Sequence, residues 1–268
     1  MIEVLDTGPL TTVQDRGRPG LAHLGVSPSG AADPRAFERG NRLVGNRPGA
    51  ASLEATLAGP KLRFLEPAVV ALTGAEHWPA FEMAPGDVLA VEPYARGTRV
   101  YVSVRGGIDV EPVLGSRSTD LMSGLGPPVV RAGDVLRVGN EAGGAPEELP
   151  DQRLVAEPVL HVVPGPRADW FAAGALEALT AHPWRMSISS NRVGIRLEGE
   201  RLEWAWNEEL RSEGLVTGAL QVPPSGQPIL LGPDHPTTGG YPVIAVVHSE
   251  DLWQLGQLRP GEAVRFSV

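Results

Sequence analysis

The 268 residues contain no cysteine. That excludes disulfides, thiol nucleophiles and thiolate metal sites, and it suits a reducing cytoplasm. Lysine is nearly missing too, Lys61 being the only one. A Schiff base, a P-loop lysine or a lysine bearing biotin would have to use it, and its context, GPKLRF, matches none of these. The positive charge is otherwise arginine, which stays protonated and suits bidentate clamps on carboxylate or phosphate. Net charge is −9, so no basic surplus exists to neutralise a nucleic-acid backbone. No apolar run reaches the roughly 18 residues that span a bilayer. The start, MIEVLDTGPL, has neither the basic nor the apolar region of a signal peptide. A soluble cytoplasmic protein is expected. Gly-Xaa-Ser-Xaa-Gly is absent, which argues against a nucleophile-elbow hydrolase, and no His, Asp or Glu spacing suggests a metal site.

Turn formers are abundant, with 33 glycines and 26 prolines, and 42% of residues are hydrophobic. Many short apolar runs between turns predict a mainly β protein with a few short helices. The length fits one large or two modest domains. Strands are expected within 51–73, 84–91, 99–108, 131–138, 185–189, 193–197, 243–249 and 259–268. Residues 113–128 read as a polar loop with one helical turn, and 203–212 are assigned to no element. Asp33 caps a helix that has Pro34 at its first position and Gly45-Asn46 at its end. A second helix is expected after Arg167, with Trp170, Phe171, Leu176 and Leu179 on one face and Pro183 beyond it. Ser249 is expected to cap a third. The acidic, Gly/Pro-rich stretch 140–153 reads as a linker. It divides a first β subdomain, 1–139, from a second, 154–268. GVSPSG (25–30) is similar to LQVPPSG (220–226), and TLAGPKLRF (56–64) to RLEGERLEW (196–204). The pairs run in opposite order in the two halves, which fits either segments exchanged between related subdomains or turns common to many proteins.

The densest chemistry lies in QVPPSGQPILLGPDHPTTGGYP, residues 221–242. Within it Asp234 to Tyr241 brings a carboxylate, an imidazole, two hydroxyls, a phenol and adjacent glycines together. Such a loop is either a hairpin connection that satisfies its own backbone or a site in which glycines let the backbone approach a ligand.

Several segments together resemble one family: TTVQDRGRPG with GVSPSGAAD, LEATLAGPKLRF, RGGIDVEPVLGSRST, HVVPGP, SSNRVGIRLEG, SEGLVTGALQVPPSGQPILL, and DHPTTGGYPVIAVV with LRPGEAVRF. In order over nearly the whole chain, they are similar to the allophanate hydrolase subunit 2 family, also described as the biotin-dependent carboxyltransferase A/B subdomain family. The resemblance implies cyclophilin-like β-barrel subdomains. It implies a subunit-1-type partner, the B-type component of 5-oxoprolinase, and for 5-oxoprolinase an A-type component as well. That complex cleaves 5-oxo-L-proline to L-glutamate with ATP. The chain would be a component inactive alone. Two alternatives stand beside it: a carboxyltransferase component acting on urea or another small amide with carboxybiotin, the biotin not being attached to this chain, or a non-catalytic regulator that binds a subunit-1-type protein as a kinase-inhibitor antagonist. His235-Pro236 departs from the expected, more polar pair.

Either reaction must hold an amide-like substrate, polarise its carbonyl and stabilise an anionic intermediate. Asp234, His235, Thr238 and Tyr241 are the candidate catalytic residues. Candidate substrate contacts are Gln14, Asp15, Arg18 and Ser29 near the start of the chain. Asn191, Arg192, Gln221, Ser225, Gln227, Gly239 and Gly240 are further candidates, Arg192 as a carboxylate clamp.

Overall fold

A computed structural model describes residues 1–150, 154–206 and 208–268. The chain is mainly β, as expected, and forms two compact units. The first comprises Met1–Arg18, Ser29–Asp120 and Gly124–Leu154; the second comprises Pro19–Pro28, Leu121–Ser123 and Val155–Val268.

The first unit contains β1 (Ile2–Asp6), β2 (Leu10–Gln14), α1 (Pro34–Leu43), β3 (Ser52–Thr56), β4 (Lys61–Phe64) and β5 (Ala68–Gly74). It continues with β6 (Trp78–Met83), β7 (Val88–Ala90), β8 (Arg99–Val104), β9 (Ile108–Asp109) and β10 (Val135–Val138). These make two five-stranded sheets, ordered β7-β4-β1-β10-β9 and β2-β3-β8-β5-β6. Composition explains the places. In β4, Leu62 and Phe64 face the core while Lys61 and Arg63 face out, the period-two alternation of a half-buried strand. In β8, RVYVSV, all six residues are buried, and the strand lies between β3 and β5. The helix α1 begins as predicted: Asp33 Oδ1 accepts from Ala36 N at 2.9 Å. Gly40 lets it lie against β8, since a Cβ there would meet Ser103 Oγ at 2.3 Å.

The second unit contains β11 (Val159–Pro164), α2 (Ala175–Ala181), β12 (Trp184–Met186), β13 (Gly194–Glu198), β14 (Glu213–Gly214) and β15 (Ala219–Gln221). It ends with β16 (Ile229–Leu231), β17 (Thr238–Gly239), β18 (Val243–Val247), α3 (Leu252–Leu255) and β19 (Ala263–Ser267). Seven strands close a barrel in the order β11-β18-β15-β16-β13-β12-β19, sealed by the parallel pairing of β11 with β19. Trp184, Leu160, Leu197, Leu220, Leu230 and Phe266 fill it.

Three helical expectations need correction. The helix after Arg167 is broken into a 3-10 turn, Ala168–Trp170, and α2, because Gly174 takes φ 86° between them. Ser249 opens a 3-10 turn, Ser249–Asp251, whose N-cap is His248; α3 follows with Asp251 at its N-cap, and no side chain caps either. Residues 113–128 hold turns and a small bridge, Val113 with Ser116, and no helix. The stretch from 140 to 150 is tied to the end of α1: Arg47 N donates to Glu141 O at 2.7 Å, and Arg42 pairs with Glu147 at 2.7 Å. The last three residues expected in the linker, 151–153, lie outside the described residues.

Candidate functional site

The predicted residues of the first unit gather into one cluster, and those of the second fall into several groups. In the second unit the loop after β16 is fastened by a buried ion pair. Arg192 Nε donates to Asp234 Oδ2 at 2.8 Å and Nη2 to Oδ1 at 2.9 Å. Their side chains are 1% and 0% exposed. Leu121 N adds a third donor to Asp234, at 3.2 Å. The backbones are joined as well, with Asp234 N donating to Arg192 O at 3.2 Å and Gly232 N to Val193 O at 3.0 Å. A Cβ on Gly232 would meet Arg192 O at 2.2 Å, so this junction requires glycine. The two groups predicted as base and clamp therefore bind each other. What they do chemically is hold the loop.

His235 is buried beside the pair, and its Nδ1 lies 2.7 Å from Pro236 O. A carbonyl only accepts, so Nδ1 carries the proton. Further along, Thr238 and Gly239 form β17, paired with β14. Neither Gly239 nor Gly240 has positive φ, and Gly239 packs closely against the end of a side chain. A Cβ there would meet Gln221 Nε2 at 2.8 Å, the same amide nitrogen that donates to Tyr241 O at 3.1 Å. Gly240 and the half-exposed Tyr241 then line a cleft of about 580 Å³ with Trp204, Glu208, Glu209, Leu210 and Pro224. Three predicted contacts are engaged in turns. Asn191 Oδ1 accepts from Val193 N and Gly194 N at 2.9 and 3.2 Å. Ser225 Oγ accepts from Gln227 N, and the Gln227 amide brackets the backbone of Gly199.

In the first unit Gln14, Asp15, Arg18 and Ser29 do come together. Asp15 Oδ1 accepts from Gly17 N at 2.7 Å and from the hydroxyls of Ser116 and Ser118 at 2.6 Å; Oδ2 accepts from Arg117 N at 2.6 Å. That carboxylate is an organiser of two loops. Arg18 donates to Val113 O and Ser118 O at 3.3 and 2.6 Å. Ser29 sits at φ 51°, a strained conformation for a non-glycine residue, and its hydroxyl reaches Thr119 O at 3.3 Å. Gln14 Nε2 donates to the same carbonyl at 3.0 Å. Of the buried side-chain atoms of this cluster, Gln14 Oε1 and Thr119 Oγ1 have no hydrogen-bond partner among the described residues. Each such atom costs about 1–3 kcal/mol, and native structures keep few without a reason.

Residues 24–268 match the model of the carboxyltransferase domain, subdomains A and B. The chain belongs to that family. Among its members, the C component of 5-oxoprolinase from Escherichia coli K12 is 38% identical over 280 residues, 99% of this chain and 90% of that protein. Urea amidolyase of Lachancea kluyveri is 32% identical over 98% of this chain and 17% of its own length. In three dimensions the Kluyveromyces lactis urea amidolyase superposes with a TM-score of 0.91 at 32% identity, over 99% of this chain and 18% of that one. TTHA0988 superposes at 0.90 and 37%, over all of this chain and 56% of its own. This chain thus spans about a fifth and about half of those two solved chains.

Within this carboxyltransferase-domain chain, sequence reasoning missed Trp204, Glu208 and Glu209, which share the cleft with the predicted Tyr241 and Gly240. They lie in 203–212, whose lack of periodicity left it without an assignment. The two serines that hold Asp15, Ser116 and Ser118, lie in the polar loop 113–128 and are both fully buried.

Proposed function

We propose that the chain is one component of an ATP-dependent 5-oxoprolinase complex that opens 5-oxo-L-proline to L-glutamate. The observation that carries this reading is the match with the C component of the Escherichia coli 5-oxoprolinase over 90% of that protein's length. A second such protein, from Haemophilus influenzae, is 34% identical over 91% of its length. The partners are a B-type (subunit-1-type) and an A-type protein, and the complex works in the cytoplasm. ATP enters at the level of the complex. This chain's lone lysine, Lys61, stands on the paired strand β4 and not in a phosphate loop.

The first-unit cluster supports the reading chemically. A lactam presents one N–H and one carbonyl. Gln14 Oε1 is an unmatched acceptor for the first, and the Thr119 hydroxyl an unmatched donor for the second. With all three proteins present, ATP-dependent glutamate release from 5-oxoproline is expected. Gln14→Leu and Thr119→Val each lower kcat/KM about tenfold or more, the worth of one hydrogen bond of roughly 1.4 kcal/mol, while the complex still assembles. No glutamate from the complete complex overturns the proposal.

The urea amidolyase relatives support a second reading, a carboxyltransferase component acting on urea or another small amide with carboxybiotin carried elsewhere. A biotinylated protein co-purifying with the chain, seen by avidin blotting, together with bicarbonate-dependent consumption of the amide, selects it.

A further inference from the structure

The cleft beside Gly240 and Tyr241 has a composition unlike a site for either reaction's anionic intermediates. Its walls are the indole of Trp204, the phenol of Tyr241, Pro224 and Leu210, and its charged members are Glu208 and Glu209. Neither glutamate has an ion pair or hydrogen bond among the described residues, whereas the next acid along, Glu213, is held by Arg167. Trp204 Nε1 donates to Val222 O at 3.2 Å, which fixes the indole in place. On the rim, Arg201 donates to Pro224 O at 3.3 Å and makes no ion pair with either glutamate.

We infer that this cleft receives an arginine side chain from a partner polypeptide. A planar guanidinium stacks on aromatic rings and offers a fork of donors to carboxylates, so it answers both features at once. Any ligand bearing a carboxylate, 5-oxoproline and glutamate included, meets two uncompensated negative charges there. The cleft is also open: Tyr241 is 46% exposed, and Glu208, Glu209 and Pro224 are exposed. A small-molecule site usually encloses most of its ligand, while an open notch suits a side chain delivered from outside. The inference goes beyond the proposed reaction and stands whichever amide the complex consumes.

The isolated chain, observed through the indole N–H resonance of Trp204 (assigned with Trp204→Phe), is titrated with N-acetyl-L-arginine amide. A saturable shift of that resonance and of the Gly240 amide is expected. The lysine analogue should bind more weakly and the glutamine analogue should give no saturable shift. The double variant Glu208→Gln with Glu209→Gln should weaken the arginine analogue about tenfold at an unchanged unfolding midpoint. No saturable shift, or equal affinity in the double variant, overturns the inference. The source of the arginine is tested with the co-expressed partner proteins. Glu208→Arg with Glu209→Arg should reduce complex affinity at least tenfold, again with the unfolding midpoint unchanged. A complex of unaltered affinity overturns docking by a polypeptide even if the free analogue binds.

Discussion

Arg192 and Asp234 exchange two direct hydrogen bonds inside the second unit, shielded from water. Such a pair adds little over an apolar replacement, but removing one partner strands a buried charge at a cost of about 3–5 kcal/mol. Asp234→Ala and Arg192→Ala should each lower stability by that amount in urea unfolding. Arg192→Met combined with Asp234→Leu should cost clearly less than the sum of the single changes. Equal and additive losses would show that the two act separately. Both residues could be picked from the sequence for their chemistry. Their pairing could not, because 42 positions separate them and only the return of the loop toward β13 brings them together. Glu208 and Glu209 were illegible for the opposite reason: two exposed acids in an irregular stretch look like solvated surface until Trp204 and Tyr241 are seen beside them.

At the level of elements, the start of α1 is held by a network running from β3 to β8. Tyr101 OH donates to Glu54 Oε2 at 2.6 Å and accepts from Asp33 N at 2.8 Å, while Arg99 Nε reaches Glu54 Oε1 at 3.2 Å. Ala32 N donates to Glu54 Oε2 at 2.9 Å. Burial, with the negative charges of Glu54 and Asp33, pushes the Tyr101 phenol well above its ordinary 10.0. The folded state holds this proton more tightly than the unfolded chain. Its contribution to stability is therefore complete below about pH 10 and is lost as pH climbs beyond it. In an alkaline titration read at the tyrosinate band, Tyr101 should ionise only together with unfolding. In Tyr101→Phe that step should vanish, and stability near neutrality should drop by about 1–3 kcal/mol, because the Asp33 N–H loses its acceptor. Tyr101 ionising while the fold persists would contradict this. The cap itself was readable, since Asp33 and Pro34 are local signals. The network behind it was not: nothing in the strand 51–73 marks Glu54 as buried, yet it is 1% exposed. The same limit explains why strands marked by flanking turns were found while the closure of β11 on β19 was not. Their partners, such as Leu160 and Phe266, lie about a hundred residues apart.

For the molecule as a whole, the division into units does not follow a single cut in the chain. Pro19–Pro28 and Leu121–Ser123 belong with the second unit although they precede 140. Those segments supply specific bonds: Ser27 Oγ donates to Pro233 O at 2.9 Å, and Leu121 N to Asp234 Oδ2. Both act on the loop that carries Asp234, so the residues 154–268 are an incomplete unit. A fragment of 154–268 loses two hydrogen bonds, one of them to a buried charge, worth together about 2–4 kcal/mol on typical values. Its barrel core, from Leu160 to Phe266, remains intact in sequence. The fragment should therefore keep strand circular dichroism but unfold at lower urea than the second unit of the full chain, with amide exchange fastest across 232–241. Adding a peptide of residues 19–28 should slow exchange in that loop. A fragment as stable as the full chain's second unit, with Asp234 and its neighbours equally protected, would show that the early segments only rest on this unit and do not complete it.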